Sequence, residues 1–305
     1  MPKTFVVLLL ALLFMAPAMA ERYTGPIIDV HLHAGKAAPG AINPATGKPT
    51  TANTDAERQS LTLEHMQRHR IVLGLVSGPM DAMARMRAAA PDRIWAGAML
   101  DDYGHPLPPI ADLRQAYASG ELHVLGEIGA QYNGLNPSDP WFEPYLALAE
   151  ELDIPVGIHT GLGPPASPYG CCPKFSVALG NPILLEPMLK RHPKLRVWLM
   201  HAGWPYLQET KAILYMYPQV HVDLAVINWI FPREEFHDYL RALVTAGFGD
   251  RLMFGSDQMV WPESIPLAIE GIDSAEFLSD AQKRAIFYDN AARFLRVDPQ
   301  ADAAK

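Results

Sequence analysis

Two histidines separated by one residue, His31 and His33, close the apolar run Ile27-Ile28-Asp29-Val30-His31-Leu32-His33. In an extended strand alternate side chains share a face, so both imidazoles project to the same side. That spacing suits chelation. Three further candidate ligands each end a strand-like segment of their own: His159 in 156–160, His201 in 197–203 and Asp257 in 252–257. Imidazole nitrogen and carboxylate oxygen are the donors that suit zinc and related divalent ions. The pattern predicts an ion held by His31, His33, His159 and Asp257, with His201 close enough to act on a substrate.

A bound divalent ion lowers the pKa of its water from about 15.7 to about 7, which supplies hydroxide at neutral pH. The expected chemistry is attack of that water on a polarised carbonyl. Asp257 would take the proton, and His201 would either stabilise the developing oxyanion or hold a second ion. Glu127, in Gly126-Glu127-Ile128-Gly129, ends the fourth strand-like segment. It is expected either to bridge two ions or to orient a ligand histidine from outside the coordination sphere. His65 and His69, spaced by four in a helix-like stretch, lack this surrounding pattern and are expected to be solvated. The same expectation covers His105, His123, His192, His221 and His237.

Eight short apolar segments must position these groups: 27–33, 71–77, 94–100, 124–129, 155–160, 197–203, 220–225 and 252–257. Most are continuous runs, as expected for parallel strands covered on both faces. Helices are predicted over 61–70, 81–90, 109–119, 141–152, 182–191, 206–217 and 233–246. Ser279 with Gln282 forms a capping-box pattern that opens a further helix through Tyr288. Such regular strand–helix alternation predicts an α/β fold, a (β/α)₈ TIM barrel in one domain over 21–305. A doubly wound open sheet is the rival. It would call for a glycine-rich phosphate turn after the first strand, and His31-Leu32-His33-Ala34-Gly35 is not one. The barrel also puts every candidate ligand at the C-terminal end of a strand, where barrel active sites form.

Residues 1–20 read as a cleaved signal peptide. Lys3 precedes an apolar core from Phe5 to Ala16, and Ala18-Met19-Ala20 offers small residues for cleavage before Glu21. The alternative, a membrane anchor, needs roughly 20 apolar residues, more than this run supplies. The expected product is secreted or periplasmic. Losing Lys3 takes the formal net charge from −8 to −9. An acidic surface gives no electrostatic footprint for nucleic acid or anionic membrane. The expected partner is a small molecule, and a homodimer is an open possibility. The two cysteines, Cys171 and Cys172, are adjacent; they are read as two reduced thiols rather than a vicinal disulfide, whose ring departs from ordinary geometry.

Loops after the strands line the mouth of a barrel. Here they carry Tyr132, Trp204, Trp229, Phe231 and Trp261, an aromatic set suited to an apolar or aromatic ligand. The Gly- and Pro-rich segment 161–176 is a candidate lid, with Tyr169 and Lys174 as candidate substrate contacts. Lys174 and Arg233 are the loop cations available to a substrate carboxylate.

With these residues in place, the chain resembles the amidohydrolase superfamily, in its amidohydrolase-related (amidohydrolase 2) branch of metal-dependent hydrolases and non-oxidative decarboxylases. The resemblance runs from Ile27 to about Leu295. It includes 192–203, which looks like the approach to the family's sixth strand, 217–224, which resembles its seventh, and 289–294, which resembles its closing helix. It implies one or two divalent ions, most readily Zn²⁺ with Mn²⁺ as an alternative. It also implies Asp257 as general base and His201 as acid/base or second-metal ligand. One departure stands out: Glu127 occupies the fourth-strand position where some binuclear relatives carry a carboxylated lysine. The reading is an exported metal-dependent hydrolase of an amide or ester/lactone bond. The alternatives are a decarboxylase on the same scaffold and a non-catalytic binding protein.

Overall fold

The computed structural model describes residues 22–100 and 108–297. The predicted signal peptide and His105 lie outside these residues. Eight parallel strands pair in sequence order, each with the next. They are β1 (Ile27–His33), β2 (Ile71–Gly78), β3 (Ile94–Leu100), β4 (Val124–Ile128), β5 (Val156–Ile158), β6 (Val197–Leu199), β7 (Val220–Asp223) and β8 (Leu252–Met253). Just past β8, Phe254 accepts a hydrogen bond from Val30 N–H (3.0 Å) and Asp257 N–H donates to His31 C=O (2.8 Å). The sheet thereby curls back on its first strand as a nearly closed TIM barrel in one domain.

Helices follow the strands: α1 (Asp55–Arg68), α2 (Met80–Ala89), α3 (Ile110–Ala118), α4 (Glu143–Glu151), α5 (Glu186–Arg191) and α6 (Leu207–Met216). After β7 come α7 (Ile227–Ile230) and α8 (Arg233–Thr245); after β8 come α9 (Ser264–Asp273), α10 (Asp280–Arg284) and α11 (Asn290–Leu295). Strand residues are almost entirely buried, as continuous apolar runs require when helices cover one face and the barrel interior the other. No helix among the described residues is long and apolar enough to cross a membrane.

Several boundaries differ from the sequence expectations, each for a local reason. The first helix starts six residues before Leu61 because Thr54 and Glu57 form a reciprocal capping box at its N-terminus. The box at Ser279 and Gln282 forms as expected, and a π-helical turn at Ala285–Asp289 links α10 to α11. The helix α9 was not anticipated; Pro266 falls within its first turn, where proline's missing N–H costs no helical bond. The sixth strand stops at Leu199 because His201 and Ala202 take left-handed backbone (φ 61° and 48°). The eighth is only two residues long, and Asp257 sits beyond it at φ 46°.

Two other expectations are corrected. The adjacent cysteines are joined as a disulfide, with Cys171 exposed and Cys172 buried. His192 is buried rather than solvated: its ring nitrogens lie 3.0 Å from Glu150 and 2.9 Å from Glu143, so α4 supplies the polar partners that burial demands. His123 and His221 are also partly covered: His123 stacks on Trp95 and His221 lies tilted against Phe294, with ring centres 4.9 and 4.6 Å apart.

Candidate metal centre

The six sequence-predicted ligands converge at the C-terminal mouth of the barrel. His31 and His33 come from β1 and Glu127 from β4. His159 follows β5, His201 follows β6 and Asp257 follows β8. Potential ligand atoms cluster in three overlapping groups: His31, His201 and Asp257; His31, His33 and Glu127; and Glu127, His159 and His201. Two glycines make room below. A Cβ on Gly126 would press on the Gly157 backbone at 3.0–3.2 Å, and one on Gly157 would strike the Trp198 ring at 2.4 Å.

For three of the four rings a hydrogen bond shows which nitrogen faces inward. Nδ1 of His31 lies 3.1 Å from Asp223 Oδ2, which leaves Nε2 directed at Glu127 Oε2 (3.7 Å) and Asp257 Oδ1 (3.9 Å). Nδ1 of His201 lies 3.1 Å from the Ala225 carbonyl, which can only accept, so Nε2 carries the lone pair. That Nε2 points at His159 Nδ1, 3.3 Å away. His159 is turned the other way round. Its Nε2 meets the Leu162 carbonyl at 3.2 Å, leaving Nδ1 in close contact with Glu127 Oε1. His33 Nε2 lies 3.0 Å from Asp257 Oδ1 and 3.5 Å from Glu127 Oε2.

Electron-pair donors aimed at one another in a buried site need a proton or a cation between them. His159 Nδ1, His201 Nε2 and Glu127 Oε1 form one such set. His31 Nε2, buried and without a hydrogen-bond partner among the described residues, faces another. Bonds of about 2.0–2.1 Å in a tetrahedral set place ligand atoms roughly 3.3 Å apart. The 3.0, 3.3, 3.5 and 3.7 Å separations here span that value. The residues fit a divalent ion.

Charge is distributed to match. Burial disfavours a charge on His31, but the Asp257 and Asp223 carboxylates outweigh it and hold its pKa well above the usual value. Burial also opposes ionisation of Asp257, yet His31, His33 and His201 bring its carboxyl down to about 2. Glu127 is held well below the usual range, chiefly by His159 acting against burial. His201 goes the other way: burial, reinforced by His159 and His31, pushes it down to about 4, so its ring is neutral at pH 7.

Four supporting residues escaped the sequence reading. Asp223 Oδ1 accepts the backbone N–H of His201 (2.8 Å) and of Ala225 (3.0 Å), while Oδ2 takes the indole N–H of Trp198 (3.2 Å) as well as facing His31. Asp29 accepts the N–H of His31 and of Ser256, both at 3.0 Å, and burial raises its carboxyl to about 7. Gln258 bonds both polar groups of the His33 backbone, and Arg58 donates to the His33 carbonyl at 2.9 Å. For the two aspartates a signal existed: each is a carboxylate embedded in an apolar strand, Ile28-Asp29-Val30 and Val222-Asp223-Leu224, where burial without partners is costly.

Of the predicted substrate-binding residues, Tyr132 reaches the centre directly, with its hydroxyl 3.3 Å from His159 Nε2. The indole of Trp229 donates to Ser256 C=O (2.7 Å), next to Asp257, and its ring meets Trp261 edge-on at 6.3 Å. Trp261 donates in turn to Ala41 C=O at 3.0 Å. Trp204 packs on Phe231 with ring centres 4.0 Å apart and donates to Glu235. Arg233 is tied to the Asn228 carbonyl, while Tyr169 and Lys174 are exposed.

A family model described as amidohydrolase matches residues 28–297, nearly the whole of the described chain. The chain belongs to the amidohydrolase-2 family. This is a metal-dependent family of enzymes, hydrolases and decarboxylases among them. The chain shares its fold with a probable 2-pyrone-4,6-dicarboxylic acid hydrolase from Acinetobacter baumannii, at 18% identity and TM-score 0.63, covering 89% of this chain and 100% of that one. It shares it also with 2,6-dihydroxybenzoate decarboxylase from Rhizobium, at 16% identity and TM-score 0.59, covering 90% and 99%. Among curated proteins, Protein fluG of Emericella nidulans is 26% identical over 122 residues, 40% of this chain. The matched stretch spans 13% of that longer protein.

Proposed function

We propose that this member of the family is an exported hydrolase that cleaves an amide, ester or lactone bond of a small apolar or aromatic molecule with the help of one or two divalent ions. The observation that carries the reading is the inward convergence of His31 Nε2, His33 Nε2, His159 Nδ1, His201 Nε2 and the Glu127 and Asp257 carboxylates. These six residues would hold the metal, with Zn²⁺ the ion that the nitrogen-rich donor set suits best and Mn²⁺ an alternative. A divalent ion bound there acidifies a water and polarises a carbonyl oxygen.

The chain's own groups do the rest. Asp257, ionised at neutral pH, accepts the proton of the attacking water at its carboxylate. Neutral His201 is fixed by its Ala225 bond and presents its one free lone pair on Nε2 either to an ion or, where one ion is held by the other residues, to a water or substrate hydroxyl, without adding charge. The Trp229, Trp261 and Trp204 rings, with Tyr132, offer apolar faces for the substrate and keep bulk water from the reacting bond.

A second reading, non-oxidative decarboxylation, draws on the decarboxylases in the family and on the aromatic mouth, which suits a ring-bearing acid. One experiment separates the two. The purified protein is assayed for bound divalent metal, then incubated with aryl esters, aryl amides, lactones and hydroxybenzoates. Ring-opened or hydrolysed acid supports the hydrolase; carbon dioxide supports the decarboxylase. Full turnover by metal-free protein would remove both.

A further inference from the structure

The segment 161–176 is built onto the metal centre at two points. At its start, the Leu162 carbonyl lies 3.2 Å from His159 Nε2. At its end, Phe175 packs on Tyr132, ring centres 5.1 Å apart, and the Tyr132 hydroxyl stands 3.3 Å from the same His159 nitrogen. Between these points lies the Cys171–Cys172 disulfide, and its backbone is tied on both sides: Cys172 N–H donates to Ser167 C=O at 3.0 Å, and Phe175 N–H donates to Cys172 C=O at 2.8 Å. The base of the segment is pinned separately, with Gly161 N–H on Gly180 C=O (2.8 Å) and Gln131 Nε2 on Gly161 C=O (3.2 Å).

Among the histidines of the cluster, His159 is distinguished by where its outer nitrogen is held. The outer nitrogens of His31 and His201 are held by β7 and the residues just after it, rigid parts of the barrel. That of His159 is held by this cystine-bearing segment. A backbone carbonyl can only accept, so Leu162 commits the ring to carrying a proton on Nε2 and presenting Nδ1 to the cluster.

We propose that the 161–176 segment is a positioning device for His159, in which the Cys171–Cys172 disulfide and the Phe175–Tyr132 contact hold Leu162 and Tyr132 against Nε2 so that Nδ1 faces the metal. The inference rests on the reading of the cluster as a metal centre. Removing an outer partner of a ligand histidine weakens metal binding by about 10- to 100-fold. Opening the disulfide should have a similar effect. A dithiol reductant would do so by thiolate attack on the exposed Cys171 sulfur; its second thiol then closes the reagent's own disulfide, and Cys171 and Cys172 are left as two thiols.

The test measures Zn²⁺ affinity by chelator competition in the full chain, its Tyr132→Phe and Phe175→Ala variants, and the Cys171→Ser/Cys172→Ser double variant, with dithiothreitol-treated wild type as the variant-free counterpart. Circular dichroism confirms that each is folded. Nitrogen-15 NMR of labelled histidine, on metal-free and Zn²⁺-loaded protein, reports which His159 nitrogen carries the proton. The expected result is Zn²⁺ affinity at least about tenfold weaker, with Nδ1–H gaining population in the metal-free variants. Folded variants with wild-type Zn²⁺ affinity and unchanged His159 protonation would overturn the proposal. If wild type binds no divalent ion, the metal reading itself fails, and the metal-free NMR comparison still decides whether the segment positions the ring.

Discussion

The side-chain amide of Gln258 grips the backbone of His33 at both polar groups, accepting its N–H at 3.0 Å and donating to its C=O at 2.8 Å. Because Gln258 follows Asp257 directly, this pairing ties one end of the donor set to the other. Gln258→Ala leaves a partly buried N–H without its acceptor and weakens the hold on the His33 carbonyl, which Arg58 still reaches. Each unsatisfied group costs about 1–3 kcal/mol. The expected outcome is a lower urea midpoint with an unchanged slope, together with weaker metal retention.

Asp257→Asn keeps the shape of the side chain but removes the proton acceptor. Turnover should fall by about 10²- to 10⁴-fold, the usual worth of a positioned general base, while most of the metal stays bound. Steady-state rates and elemental analysis of the same preparation check this. Retained activity would remove the role given to Asp257.

Asp223→Ala deprives the His31 ring, the Trp198 indole and the His201 and Ala225 backbone amides of their shared acceptor. Metal affinity should drop about 10- to 100-fold, and chelator competition reads the change directly.

Metal removal should destabilise the fold. A ligand that binds only the folded chain adds about 2.7 kcal/mol at a hundredfold excess over its dissociation constant. Thermal melts are therefore expected to shift downward with a chelator and to recover when Zn²⁺ or Mn²⁺ is returned. Identical melts under both conditions would argue against a structural hold on the ion by these six residues.

Stability should also fall in mild acid. Burial, with nearby arginines adding to it, lowers the pKa of His123 and of His221 to about 4. The unfolded chain binds these protons near pH 6.5, so between about 6.5 and 4 it is the more protonated state, and stability rises with pH across that window. The contribution is intact above 6.5 and is lost as pH falls through 4. His123→Phe, which keeps a ring on Trp95, should flatten the dependence of melting temperature on pH in that range.

The fold was legible because continuous apolar runs and a histidine pair two residues apart are features of strands whatever surrounds them. The ends of β6 and β8 were not. His201 and Asp257 leave the sheet in left-handed backbone, which non-glycine residues adopt only where the surroundings enforce it, and no run of residue types announces that. The residues that converge at the mouth were readable by type and order. Of their outer partners, Asp29 and Asp223 could be noticed only as carboxylates in apolar strands; what they hold on other segments (Ser256; His31, Trp198 and His201), and the part of Gln258, depend on contacts that only the closed barrel makes. The cysteine pair was misread because geometric rarity was weighed without the segment that holds the pair.

The seam of the barrel carries a consequence for assembly. Ser256 donates to Asp29 across 227 positions of chain, and the neighbouring bond joins Asp257 to His31. A nascent or truncated polypeptide that stops short of its eighth strand can offer an ion only some of its donors. Assembly of the full donor set is therefore tied to synthesis of the chain through its eighth strand and Asp257.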